Sequence, residues 1–150
     1  VEREARSAAE EALRTLEPGG RIAVHEYFDY GTWRFSHASP AFERFVAAVM
    51  ESWRSAGGEP DIGLQMPTLL EDVGFRIDSV RTIVQLPSKD DFFAEWPLAF
   101  VHTNLPLLVS GGYLTQLDAE EVKRVLTAYR ADPTARNRRA SRSITCARRV

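Results

Sequence analysis

Pro18-Gly19-Gly20 cuts the chain between two different hydrophobic periods, and that cut limits the folds available to everything downstream. Before it, Ala5, Ala8, Ala9, Ala12, Leu13 and Leu16 recur at helical spacing. Proline cannot continue that helix, and glycine turns the chain at little steric cost. After it, "RIAVHEY" (Arg21 to Tyr27) alternates with a period of two, Ile22 and Val24 on one face and Ala23, His25 and Tyr27 on the other. A helix that stops abruptly and feeds a strand is the repeating joint of folds that lay helices on a sheet.

The same alternation continues. Ser39 and Pro40 carry the chemistry of an N-cap and first helical position. Phe42, Phe45, Val46, Val49, Met50 and Trp53 form the stripe of the helix that follows, and Gly57-Gly58 closes it. "EPDIGLQMP" is a turn-rich connection, and Pro67 to Gly74 reads as a short helix with glycine just past its end. "FRIDSVRTIVQL" (Phe75 to Leu86) reads as a strand whose apolar phase slips by one residue, which predicts a bulge near Ser79. Ser88 can cap the next helix, and Pro97 and Pro106 predict broken helices there rather than one rod. Asp118, with Glu121 three residues on and Leu117 and Val122 around it, predicts a capped helix buried through Val122, Val125, Leu126 and Tyr129. Residues 130 to 142 read as a solvated, arginine-rich loop, and Ser143 to Ala147 as a last strand.

Composition removes several classes. Of 150 residues, 44% are hydrophobic and 27% charged, with a net charge of −2, so neither a disordered chain nor a polycation is indicated. No apolar run approaches the ~18 residues of a membrane helix, and no signal-peptide pattern opens the chain. The lone Cys146 rules out an intrachain disulfide and fits a reducing, cytoplasmic compartment. The three histidines, at 25, 37 and 102, have no metal-ligand spacing, so no metal is expected. A Ser-His-Asp nucleophile lacks its G-x-S-x-G setting. Seven arginines lie between Arg130 and Val150, yet no aromatic follows Tyr129 to stack on bases, so nucleic acid is not the expected partner.

"ALRTLEPGGRIAVHEY", followed about 40 residues later by "LLEDVGFRIDSVR", resembles the C-terminal half of a class I S-adenosylmethionine-dependent methyltransferase. The resemblance implies an α/β fold: the C-terminal part of a Rossmann-like methyltransferase sheet with a helical insertion on the substrate side. A helix ending in L-x-P-G-G would lead into one sheet strand, L-L-x-x-x-G-F would introduce the next, and a final antiparallel strand would end the domain. On that scheme residues 1–38 are helix, strand and acceptor loop, and 39–74 a helical insertion. Residues 75–86 are the next strand, 88–130 a second helical insertion, and 143–150 the last strand. The family's glycine-rich cofactor loop has no counterpart, because no G-x-G occurs. The chain is therefore expected to be an acceptor-side fragment, inactive alone, with its own cofactor-binding residues unknown.

Ligands of open α/β sheets gather at the carboxyl ends of the strands. The resemblance thus makes His25 the first candidate base for an acceptor hydroxyl or amine, and His102 the second. A histidine bonded to a backbone carbonyl is the plain alternative for His25. Tyr27, Phe28, Tyr30 and Trp33 are either walls of an acceptor pocket or a seam beneath the 40–56 helix. Asp61 is a substrate contact or a turn former, whereas Trp53 reads as core. Trp96 and Phe100 are pocket wall, dimer interface or packing. The expected partners are a small-molecule methyl acceptor and, through open sheet edges, a second copy of the chain. A non-catalytic, self-associating interaction module is the alternative function.

Overall fold

A computed structural model describes residues 2–139 and 141–150. In chain order its elements are α1 (Glu2–Thr15), β1 (Arg21–Tyr27), β2 (Arg34–Phe35), α2 (Pro40–Ser55), α3 (Met66–Val73), β3 (Phe75–Ile83), α4 (Phe92–Ser110), α5 (Gln116–Ala131), β4 (Asn137–Arg138) and β5 (Arg142–Arg149). Single helical turns at Tyr30–Thr32 and Ile62–Leu64 join some of them. The chain forms two compact units. One holds Val1–Asp29, Gly58–Ile83 and Ser141–Val150; the other holds Tyr30–Gly57 and Val84–Ala140.

The first unit is a three-stranded sheet of order β1-β5-β3. β5 runs antiparallel to both neighbours, Val24 opposite Thr145 and Thr145 opposite Val80. The ladder slips between Ile77 and Ser79, where the sequence phase predicts a bulge. Asp78 is the extra residue, and its carboxylate meets Arg148 at 3.1 Å and Arg21 at 3.6 Å. Those two arginines are cross-strand partners, so the bulged carboxylate offsets a like-charge pair that the register itself creates. β3 ends at Ile83 rather than continuing to Leu86, and β5 spans Arg142–Arg149, longer than Ser143 to Ala147. A single edge strand has only its sequence pattern to announce it, whereas β5 gains partners on both sides.

The core of this unit is Ala9, Ile62, Met66, Leu69, Leu70, Phe75 and Ala147, with Ala5, Ala12, Leu13, Leu16, Ile22 and Val24 packed against it. Ala8, placed on the same stripe by spacing, is exposed instead. Gly74 ends α3 in the left-handed conformation at φ 114°, which a side chain would resist. The Pro-Gly-Gly turn is tied to the end of β5, with Gly19 N–H donating to Arg149 O and Arg149 N–H to Gly20 O.

The second unit packs α2, α4 and α5 around Phe42, Phe45, Val49, Leu98, Val101, Leu105, Val122 and Leu126. Ser39 caps α2 as its sequence predicts, its hydroxyl accepting the Phe42 N–H at 3.2 Å. Two expectations fail here. α4 is one continuous helix with Pro97 and Pro106 inside it, begun by Asp91 rather than Ser88. Its turns bury Ala94, Leu98, Val101, Leu105 and Leu108, and that burial outweighs the backbone bonds the prolines remove. α5 is capped three residues before the expected position. Thr115 is the N-cap, and Asp118 is its partner at the third helical position, each side chain bonding the other's backbone N–H.

A small two-stranded ribbon, β2 with β4, closes this unit. It overturns the reading of 130–142 as a solvated loop. Arg139 is 7% exposed, bonds Gln85 Oε1 at 3.0 Å and lies 5.2 Å over the Trp96 ring. Arg138 donates to Thr32 O, Arg136 to Thr134 O and Ala135 O, and Arg130 pairs with Glu95. Counting charges along a sequence cannot reveal that loop carbonyls, Gln85, Trp96 and Glu95 take up these guanidiniums.

Candidate functional site

In the sheet unit, four expected site residues lie near β1. His25 is exposed, opposite Ile144, two residues short of the strand end. Its side chain stands on the face away from the α1–α3 core. Tyr27 ends the strand, and Phe28 follows with its N–H donating to Ser141 O at 3.0 Å. The Ile62–Leu64 turn is pressed against this point. A Cβ on Gly63 would come within 2.6 Å of Tyr27 O and 3.0 Å of Ser143 Oγ, so only glycine lets the two backbones meet. Asp61, half-buried, precedes that turn, its N–H accepted by Glu59 Oε1 at 3.0 Å. Glycine at 63 thus lets the turn close on the end of β1.

In the helical unit, Tyr30, Trp33, Phe100 and Trp96 form a continuous run of rings. Tyr30 meets Trp33 edge-on at 6.1 Å, Trp33 meets Phe100 at 5.9 Å, and Phe100 stacks on Trp96 at 5.6 Å. Tyr30 and Trp33 are 1% and 3% exposed, so they form core in this unit, while Trp96 is 51% exposed. Trp33 Nε1–H donates to the buried Asn137 Oδ1 at 2.9 Å, which satisfies the indole inside the core. Trp53 packs against Tyr30 at 5.0 Å, in keeping with its reading as core. His102 is exposed on α4.

Sequence reasoning missed a concavity in the same unit. Phe35, His37, Ala38 and Ser39 on one side and Val125, Ala128, Tyr129, Asp132 and Ala135 on the other enclose about 310 Å³. That is near the lower bound for ligand pockets. Phe35 and Tyr129 rings, 4.7 Å apart, and buried Ala135 make its apolar floor. At its rim, His37 Nδ1 lies 3.8 Å from Asp132 Oδ2. The Asp132 carboxyl is held below the usual carboxylate range, chiefly by the Thr134 hydroxyl and the Thr134 N–H. Burial raises the Tyr129 phenol above its ordinary value.

S-adenosylmethionine, which the sequence resemblance implies, needs close backbone approach to a glycine-rich turn. Gly63 is filled by Tyr27 and Ser143, and the Gly19-Gly20 turn lies at the amino end of β1, bonded to β5. Among the described residues, the glycines make no cradle at the carboxyl end of β1, so the residues present do not fit that molecule. No group of three or more histidine, cysteine or acidic side chains placed to hold a metal occurs among them either. No helix among them is long and apolar enough to cross a membrane.

No protein-family model matches the chain, and no curated protein matches it. Among solved structures it is similar to a crystal structure from Bacillus halodurans C-125 titled a "putative methyltransferase". The TM-score is 0.46 and the identity 14%, over 95% of this chain and 62% of that one. The chain thus spans less than two thirds of that protein's length.

Proposed function

We propose that this chain is the acceptor-side part of a class I S-adenosylmethionine-dependent methyltransferase acting on a small organic molecule. One observation carries the reading. The strand introduced by Leu16-Glu17-Pro18-Gly19-Gly20 and the strand introduced by Gly74-Phe75 flank a final strand antiparallel to both, in the chain order that the sequence resemblance requires. The cofactor's cradle is assigned to residues outside these 150.

On this proposal the chain's work is to hold an acceptor in line and at short range, which is where most of the rate of a direct displacement comes from. His25 is the candidate base of the sheet unit, with Tyr27, Phe28 and Asp61 as its acceptor contacts. In the helical unit, His102 is the corresponding base, and exposed Trp96, stacked on Phe100, is the acceptor wall. Tyr30 and Trp33 back that wall from inside the core. A base is needed only for an acceptor that must lose a proton.

A self-associating module is the second reading. It is favoured by β1 and β3, each with one edge that has no strand partner among the described residues, and by Val80, 50% exposed on β3.

Calorimetric titration with S-adenosylmethionine tests both. The proposal expects no heat from the 150-residue chain and saturable binding once it is joined to its proposed cofactor-binding half. Binding by the chain alone overturns the division of labour. No binding by either form, with mass rising with concentration in sedimentation, overturns the transferase reading in favour of the module.

A further inference from the structure

The concavity between the 35–39 segment and α5 owes nothing to the transfer reaction proposed above. The polar side chains of its lining are Ser39, His37, Asp132 and Tyr129, and the Tyr129 hydroxyl is itself buried. Ser39 Oγ is engaged by the Phe42 N–H. His37 is largely open to solvent, 77% exposed. Asp132 differs from both: its carboxylate is 32% exposed, and Oδ1 is fixed by the Thr134 N–H at 2.8 Å and the Thr134 hydroxyl at 2.7 Å. Those bonds lock the carboxylate's orientation and leave Oδ2 as the acceptor at the rim, with His37 at 3.8 Å, beyond hydrogen-bond distance.

From this geometry we propose that the concavity is a binding site for a small organic ammonium ion with an aromatic or branched apolar body. The body replaces water against Phe35, Val125, Ala128, Tyr129 and Ala135, and the N–H groups of the cation reach Asp132 Oδ2. A fixed carboxylate beside an apolar floor favours a cation that carries an apolar body. The charge-assisted hydrogen bond forms without reorganisation, and the body gains burial against the floor. A carboxylate ligand would meet the same Asp132 as a like charge, and a neutral alcohol would gain burial alone. The volume of about 310 Å³ suits a single-ring amine rather than a nucleotide.

The test is amide NMR titration of the full chain with benzylamine, benzyl alcohol and benzoate. Benzylammonium should bind saturably, with shifts confined to the amides of residues 35 to 39, the cavity-lining turns of α5, Asp132 and Ala135. Benzyl alcohol and benzoate should bind at least about tenfold more weakly. Asp132→Asn, which keeps an oxygen for Thr134, should erase the preference for the amine over the alcohol. Ala128→Phe, a substitution at an exposed helical position that should leave folding intact, should abolish binding of all three by filling the cavity. Equal binding of amine and benzoate, shifts scattered over the chain, or unchanged amine binding in either variant would each overturn the site.

Discussion

Tyr129 is 3% exposed, and its hydroxyl has no hydrogen-bond partner among the described residues. The ring belongs to the core through Phe35, and the oxygen is buried with it. An unmade buried hydrogen bond costs more than a made one contributes. Tyr129→Phe, usually a neutral or harmful change at a core tyrosine, should therefore stabilise the protein by up to about 1 kcal/mol. A higher urea midpoint with an unchanged slope is the expected result, and a lower midpoint would show the oxygen to be satisfied. The same residue sets an alkaline limb. Burial, reinforced more weakly by Asp90, Asp91 and Glu95 and opposed by Arg136, raises its folded pKa above the ordinary 10. The stability this contributes is complete below the unfolded value and is lost as pH rises through the folded one. In a spectrophotometric titration, the variant should lose one phenol that ionises above the ordinary range.

At the scale of single elements, local chemistry was readable where it was truly local. The Arg21–Tyr27 strand, the Ser39 cap, the glycine ending α3 and the bulge before Ser79 all follow from neighbouring residues. α4 was not readable that way. Two prolines forbid a helix on propensity alone, and only the burial of Leu98, Val101 and Leu105 against the other helices overrides that propensity. The prolines should then differ. Pro106 is exposed, so Pro106→Ala restores an N–H aimed at His102 O and should stabilise by about 1 kcal/mol, after allowing for the looser unfolded chain. Pro97 is buried, so Pro97→Ala trades that gain against a void and should be neutral or destabilising. Thermal unfolding of the two variants side by side decides it, and equal shifts would contradict the packing account. The candidate cavity escaped sequence reading for a related reason. Phe35 and His37 lie some 90 residues from Tyr129 and Asp132, and no spacing rule links them.

Across the whole chain, the least legible feature was strand order. β5 alone looks like five ordinary residues near the end, yet it is the middle strand, and both β1 and β3 have it as their sheet partner. A ladder joining Arg21 to Arg148 requires almost the full chain before it can close, so this sheet is dominated by non-local pairing. Ala147, fully buried and opposite Ile22 and Ile77, is where that closure is most exposed to damage. Ala147→Asp would place an unpaired carboxylate in the apolar cluster with Leu70 and Phe75, at a cost of several kcal/mol. In the native chain, amides of β5 should exchange slowest of the three strands, since β5 is paired along both edges. In the variant, protection should vanish together from β1, β5 and β3, because the outer two have no other ladder among the described residues. Tryptophan fluorescence offers an internal control, as Trp33, Trp53 and Trp96 all lie in the helical unit. Loss of protection limited to residues beside Ala147 would mean that β1 and β3 hold their places without the strand between them. The sheet would then be an assembly of separately anchored strands rather than one cooperative element.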